Sequence, residues 1–164
     1  MNIDINEMIF DDIVAIEPNF SEKFDRLWSI NILKNDFVED HSKYIVAKID
    51  NEIVGFAGIK IILDEADIMN IVTRVDKRGN GIGSLLLEKL IDLASLLNCT
   101  CINLEVNENN YPAIHLYEKY SWPLSIFSVL GSNASAVVAP SHLWCSSLLL
   151  IPFPCNAACF TITQ

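Results

Sequence analysis

The last 44 residues of this 164-residue chain, 121–164, contain no Asp, Glu, Lys or Arg, so every formal charge falls within residues 1–119. The apolar stretches of this tail are broken by Pro140, Pro152, Pro154, Asn156 and several serines. None reaches the ~18 apolar residues that a membrane-spanning helix needs, so no membrane anchor is expected. Basic residues are scarce: 11 Lys and Arg against 21 Asp and Glu give a net charge of −10. That balance excludes a broad nucleic-acid surface, whose affinity comes from cations neutralising phosphates, and suits a cationic or amine-bearing substrate. Cysteine lacks any paired pattern. Cys99, Cys101, Cys145, Cys155 and Cys159 are odd in number and without metal-ligand spacing, so neither a disulfide framework nor a zinc site is expected, and no metal. The first residues, Met1-Asn2-Ile3-Asp4-Ile5, are acidic and precede no apolar run of the kind a secretion signal carries. Reduced thiols and a cytoplasmic location follow as the expectation.

The chain is long enough for one domain with a single core. Phe10, Ile13, Val14, Ile16, Phe20, Phe24, Leu27, Trp28 and Ile32 recur at helical spacing and predict two short helices. Residues 44–49 and 52–62 read as strands, and Asp50-Asn51 between them has turn chemistry, so a β-hairpin is predicted. Residues 67–75 read as a third strand. Residues 83–98 predict a long helix with Ser84, Glu88, Asp92 and Ser95 outward and Leu86, Leu87, Leu90, Ile91, Ala94 and Leu97 inward. Residues 100–106 alternate, with Ile102, Leu104 and Val106 on one face and Cys101, Asn103 and Glu105 on the other. Asn110 then caps a helix that carries Pro112 in its first turn and a stripe of Ala113, Leu116, Tyr117 and Tyr120. The predicted order is ααβββαβα, a mixed sheet with helices on its faces.

Between the third strand and the long helix stands Arg78-Gly79-Asn80-Gly81-Ile82-Gly83. Glycines there let the backbone approach an anion closely, and a helix N-terminus offers unpaired N–H groups and the positive end of its dipole, so a pyrophosphate is the natural guest. A Rossmann site would need Gly-x-Gly-x-x-Gly, which this spacing is not. Considered singly, Glu105 reads as a solvated strand-end carboxylate, Tyr117 as a core aromatic, His115 as an exposed helical residue, Cys99 and Cys101 as packing residues, and Met8 and Met69 as core. Asp64, Glu65 and Asp67 read as a solvated turn.

Taken together, Asn70-Ile71-Val72-Thr73, then Arg78-x-x-Gly81-Ile82-Gly83-x-Leu85-Leu86, then Leu104-Glu105-Val106 and Asn110-x-x-Ala113-Ile114-x-Leu116-Tyr117-Glu118-Lys119 resemble the GNAT superfamily of N-acetyltransferases. Within it they are most similar to the ribosomal-protein-alanine N-acetyltransferases, the RimI type. The resemblance covers residues 1–120, including Trp28-Ser29 and Ile53-Val54-Gly55-Phe56-Ala57-Gly58. It implies an α/β (α+β) fold with a mixed, mostly antiparallel central sheet and flanking helices, splayed between the fourth and fifth strands. It also implies acetyl-CoA as cosubstrate. The backbone of Ile71, Val72 and Thr73 would pair with the pantetheine arm, and Arg78, Gly79, Asn80, Gly81, Ile82, Gly83 and Ser84 would hold the pyrophosphate. Asn110 would reach the pantetheine region, with Glu105 as general base and Tyr117 as general acid.

An α-amine titrates at ~8 and a lysine amine at ~10.4, so far more of the former is free base at neutral pH. One carboxylate base therefore suits a protein N-terminus, and the expected partner is an amine-bearing N-terminus such as that of a ribosomal protein. No nucleic acid or membrane partner is expected, and the oligomeric state is open. Two other readings stand beside this one: a GNAT acting on a small-molecule amine, and a non-catalytic acyl-CoA-binding or self-association module. Where relatives continue with Gly-Phe and two further strands, this chain has Tyr120-Ser121-Trp122-Pro123. Residues 1–120 are thus read as the acetyl-CoA-binding and catalytic domain. Residues 121–164 are expected to supply the last strands of the same domain or to be aberrant, as after a shifted reading frame.

Overall fold

A computed structural model of the chain describes residues 2–24, 29–107, 109–120 and 157–163. Six strands form one sheet in sequence order, β1 to β6. They are β1 (Asp4–Glu7), β2 (Ser42–Ile49), β3 (Glu52–Ile62), β4 (Glu65–Thr73), β5 (Cys101–Asn107) and β6 (Ala157–Thr163). The first four are antiparallel neighbours, whereas β4 with β5 and β5 with β6 run parallel. Helices α1 (Phe10–Ile16), α2 (Phe20–Lys23) and α3 (Ile30–Phe37) precede β2; α4 (Ile82–Leu96) joins β4 to β5, and α5 (Tyr111–Glu118) follows β5.

The predicted hairpin forms. Asp50 and Asn51 both adopt positive φ, 50° and 64°, the geometry that matches the twist of two strands joined by a two-residue turn. The helix predicted over 83–98 is α4, and Asn110 caps α5 by accepting from the Ala113 N–H at 3.4 Å, with Pro112 in the first turn. Leu97, assigned inward from its spacing, is instead 42% exposed, because α4 ends at Leu96 and the helical register does not extend to it. The third strand starts two residues earlier than predicted and stops at Thr73, since residues 75–77 wind into a 3-10 turn.

Two elements differ from the expectation more deeply. β1 has no apolar alternation, yet Asp4 to Glu7 pair with Lys48 to Ile45; an edge strand is made by its neighbour's hydrogen bonds rather than by its own pattern. The region read as two helices holds three among the described residues. α1 and α2 are separated by a 3-10 turn over Glu17–Asn19, and α3 begins at Ile30, where Ser29 accepts from the Asn31 N–H at 3.2 Å. Phe10, Val14 and Ile32 are exposed, while Leu33, outside the predicted stripe, is fully buried. Leu27 and Trp28 lie outside the described residues. Asp12 anchors α1 by accepting from the Ile9 N–H at 3.0 Å and pairing with Lys48 at 2.6 Å.

The sheet separates two cores. Against α4 and α5 lie Ile45, Ala57, Ile59, Ile68, Leu86, Leu90, Ile102, Leu104 and Tyr117 among others. Against α1 to α3 lie Met8, Ile13, Phe20, Phe24, Leu33, Tyr44, Phe56 and Val72. Met69, expected as core, is only half-buried. Two glycines of β3 let the layers close. At Gly55 a side chain would meet the Val72 carbonyl at 2.9 Å and α4 at 3.2 Å, and at Gly58 a Cβ would lie 2.3 Å from the Tyr44 ring.

Gly58→Ala is therefore expected to lower stability by about 2 kcal/mol, as overpacking does, read from urea unfolding. An unchanged midpoint would show that the Tyr44 ring can move aside.

Burial pushes the Tyr44 hydroxyl up to about 12, against a smaller opposing pull from its hydrogen bond with Asn70 and with further rises from Asp36 and Glu39. Burial pushes Tyr117 up to about 12 as well. The unfolded chain loses these protons from about pH 10 and the folded chain holds them to about 12, so stability should fall as pH rises through that window. Urea midpoints at pH 9, 10 and 11 should decline, and the decline should be shallower in Tyr44→Phe.

Candidate functional site

β4 and β5 begin as parallel neighbours, with Glu65↔Cys101 to Ile68↔Leu104 in register, and then part: β4 runs on to Thr73 without a further β5 partner. β5 instead pairs along its whole length with β6, Glu105 opposite Thr161. The fourth and fifth strands are thus splayed, as expected. Residues 71–73 lie on the part of β4 that β5 has left. Ile71 packs towards α4, and Val72 is buried on the other face.

Past β4, Arg74 is buried and holds the chain's change of direction. Its guanidinium pairs with Asp76 at 2.7 Å and Glu52 at 3.1 Å, and its N–H donates to the Val54 carbonyl at 2.8 Å. Asp76, then Glu52, raise the Arg74 pKa further, and Arg74 in turn holds the Asp76 carboxyl below its ordinary value. No motif singled out this residue; an arginine two residues from an aspartate reads as surface until the fold brings Glu52 alongside.

The segment from Arg78 to Ser84 forms an open turn leading into α4. Gly79 and Gly81 have φ of 77° and 79°, left-handed values that side chains rarely adopt, and a Cβ at either would meet nothing within 4 Å. Asn80 bridges back to the carbonyls of Lys77 and Arg78 at 3.0 and 3.3 Å, which shapes the turn. Gly81 is the N-cap of α4 and supplies no capping side chain, and the first turn carries no acidic residue. The leading N–H groups, around Ile82, Gly83 and Ser84, therefore lack intrahelical partners and a capping side chain. Gly83 sits close to Leu116 of α5 and Thr73 of β4, so strand end, turn and α5 converge there. Arg78 donates to the carbonyls of Thr73 and Phe24, both at 3.3 Å, and so ties this turn to β4 and to the end of α2.

Glu105 is exposed on β5, on the face opposite Ile102, Leu104 and Val106. Tyr117 is buried on the α5 side, in the core shared with α4. The two predicted catalytic residues therefore lie on opposite faces of the sheet, Glu105 just past the last pair that joins β4 to β5 and Tyr117 in the core on the α4 side. Asn110 stands exposed at the start of α5. Tyr120 donates to Glu88 at 2.6 Å and braces the end of α5 on α4. His115 is exposed and pairs with Glu118. Asp64 and Glu65 stand at the β3–β4 turn, and Glu65 and Asp67 accept from the Asn103 amide, so they join β4 to β5 where those strands still pair. Among the described residues no group of His, Cys, Asp or Glu is placed to hold a metal ion, and no helix is long and apolar enough to cross a membrane.

This arrangement has known counterparts. The chain is 27% identical over 117 residues to a Bacillus subtilis (strain 168) protein assigned as a ribosomal protein bS18-alanine N-acetyltransferase, a match covering 71% of this chain and 78% of that one. It is 40% identical over 94 residues to the bS18-alanine N-acetyltransferase of Haemophilus influenzae, covering 56% of this chain and 62% of the relative. The crystal structure of the ribosomal-protein-S18-alanine N-acetyltransferase from Escherichia coli superposes with a TM-score of 0.65 at 26% identity, over 73% of this chain and 76% of that one. A PaiA N-acetyltransferase from Thermoplasma acidophilum in complex with coenzyme A shares the fold, with a TM-score of 0.61 at 17% identity over 73% of this chain and 89% of that one. Residues 7–122, most of the chain, match the model of the Acetyltransferase (GNAT) family, so the chain is an acyltransferase by descent and belongs to that family.

Proposed function

We propose that this enzyme transfers an acetyl group from acetyl-CoA to the N-terminal α-amine of a protein, with a ribosomal protein as the substrate class. The observation that carries the reading is the gap between β4 and β5, with the open glycine turn at one end and Glu105 at its edge. The relatives named for acetylating the alanine of bS18 support the choice of acceptor. A cytoplasmic location belongs to the same proposal.

The residues present fit the cosubstrate. Positive φ at Gly79 and Gly81 and the uncapped start of α4 suit a pyrophosphate, held by residues 78–84. The edge of β4 at Ile71, Val72 and Thr73 can pair with an extended amide-bearing arm, as an added strand pairs with a sheet edge. Asn110 would meet the same arm from the start of α5. The thioester supplies an activated acetyl carbon: the amine nitrogen forms the new C–N bond as the C–S bond breaks. Glu105 takes one proton from the ammonium, directly or through water, and passes it to solvent; the second proton leaves the nitrogen by the same route once the C–N bond has formed, while Tyr117 gives its proton to the departing sulfur and regains one from solvent. Because Tyr117 and Glu105 face opposite sides of the sheet, the amine and the sulfur are served from separate sides of the gap and do not compete for one group. Burial keeps the Tyr117 hydroxyl protonated to about pH 12, the state a proton donor requires.

Thiol release from acetyl-CoA should require a peptide with a free N-terminus and be absent with its blocked twin and with a lysine-only control. Glu105→Gln should lower kcat by about 100-fold or more while acetyl-CoA binding by calorimetry stays within twofold. Release that does not depend on the α-amine, or that survives in Glu105→Gln, would refute this assignment.

The pH profile tests Tyr117 separately. Rates should rise as the acceptor amine loses its proton around pH ~8. They should then hold level to about pH 11, as long as the enzyme stays folded, because the donor remains protonated. Tyr117→Phe should lose about 100-fold at every pH; a wild-type profile falling from pH 9 would count against Tyr117 as donor.

A further inference from the structure

The register of β3 with β4 pairs Gly58 with Asn70 and Ile59 with Ile68, so Met69 has no partner: β4 carries one extra residue. The bulge changes which face the following side chains occupy. Before it, Ala66 and Ile68 enter the core against α4, and Asp67 lies on the other face; after it, Val72 lies in the core against α1 to α3. Asn70, two residues from Val72, is carried to that same side, where its Nδ2 reaches the Tyr44 hydroxyl at 3.5 Å. On β5, Asn103 and Glu105 alternate with the α4-facing Ile102, Leu104 and Val106, and Asn103 donates to Asp67 Oδ1 at 2.9 Å, which fixes the face they share. Asn70 and Glu105 thus stand on one face of the sheet, each just past the last pair joining their strands, Ile68↔Leu104.

The Asn70 amide is not fully used by the described residues. Its Nδ2 is turned to Tyr44, whose hydroxyl also lies by the Asp36 carboxylate, an acceptor for the hydroxyl proton. Its Oδ1 is buried and receives no hydrogen bond from any described residue. A buried carbonyl oxygen without a donor is costly and uncommon, and it calls for a donor from elsewhere. The glycine turn begins α4, which packs on the opposite face of the sheet, so a ligand approaching Asn70 from its own face is the acceptor rather than the pyrophosphate end of the cosubstrate.

We propose that Asn70 Oδ1 accepts an N–H hydrogen bond from the acceptor's amino group and, together with Glu105, sets that nitrogen at the gap between β4 and β5. This rests on the acetyl-transfer reading above. An ammonium carries three N–H donors: one proton passes to Glu105 and frees the lone pair that points at the acetyl carbon, one N–H stays on Asn70 and remains in the amide product, and the third leaves through Glu105 after the C–N bond has formed. Asn70 acts as a positioning and specificity residue for primary amines, with Tyr44 orienting its amide.

The test compares Asn70→Leu, which keeps the volume and removes the acceptor, with Asn70→Asp, which keeps an oxygen able to accept the same bond. In Asn70→Leu the KM for a free-amine peptide should rise about tenfold, as for one lost hydrogen bond to a charged or polar group, with acetyl-CoA KM within twofold. Asn70→Asp should return the peptide KM to within about threefold of wild type. If Asn70→Leu does not fold, judged by circular dichroism, Asn70→Ser, whose oxygen is drawn back from the gap, carries the same expectation. An unchanged peptide KM, or an acetyl-CoA KM that rises equally, would overturn the assignment of Asn70 while leaving the acetyl-transfer reading intact. A wild-type enzyme that transfers acetyl to no amine would overturn both.

Discussion

Between Ile68 and Asn70 the fourth strand gains one residue relative to the third, and in the same place the fifth strand leaves it. A parallel pair is held together by evenly spaced hydrogen bonds, and a residue too many on one strand shifts the phase of its donors and acceptors. From that point β4 pairs, among the described residues, with β3 alone, and its outer edge is the one proposed to meet the cosubstrate. The position of Ile71, Val72 and Thr73, the face on which Asn70 lies, and the opening beside Glu105 all follow from this local change of register.

The elements around the gap hold it open. α4 is packed tightly onto β3 because Gly55 has no side chain to keep it away, and Ile82 and Leu86 fill the space so released. This fixes the start of α4, and with it the glycine turn, near the end of β4. Arg74 secures the turn's approach through Asp76 and Glu52, and Arg78 secures the turn itself through backbone carbonyls. On the other face, the Tyr44 ring lies across Gly58 towards Asn70, so the row Tyr44, Gly58, Asn70 forms one cross-strand unit. The chemistry proposed for the site draws on both faces, and the sheet is the partition between them.

Arg78 shows how a residue can keep its place in a motif and change its reading. Its position beside the glycines suggests a charge aimed at phosphate. The fold turns the guanidinium towards the carbonyls of Thr73 and Phe24, where it ties strand, turn and α2 together. Its charge still adds to the field at the start of α4, but in this conformation its hydrogen bonds go to the protein. For the proposed pyrophosphate, the turn's main donors would then be the backbone N–H groups, which no substitution short of proline removes.

The long helix, the hairpin with its Asp50-Asn51 turn, the alternating β5 and the Asn110 cap were all legible, because each depends on contacts between residues near in sequence: helical periodicity, two-residue turn geometry, alternation across a pleat, a side chain reaching three residues on. The family was legible from linked motifs, Asn70 to Thr73, Arg78 to Leu86, Leu104 to Val106 and Asn110 to Lys119, whose joint resemblance is far more specific than the glycines alone. Tertiary contacts decided what no local pattern encodes. β1 exists because β2 offers it an edge, the α1 to α3 region is divided where Leu33 rather than Ile32 finds the core, and Leu97 falls outside it because α4 has already ended. The side on which Asn70 lies depends on the β3–β4 register, a pairing between strands, and a shift of one residue exchanges the two faces of everything after it.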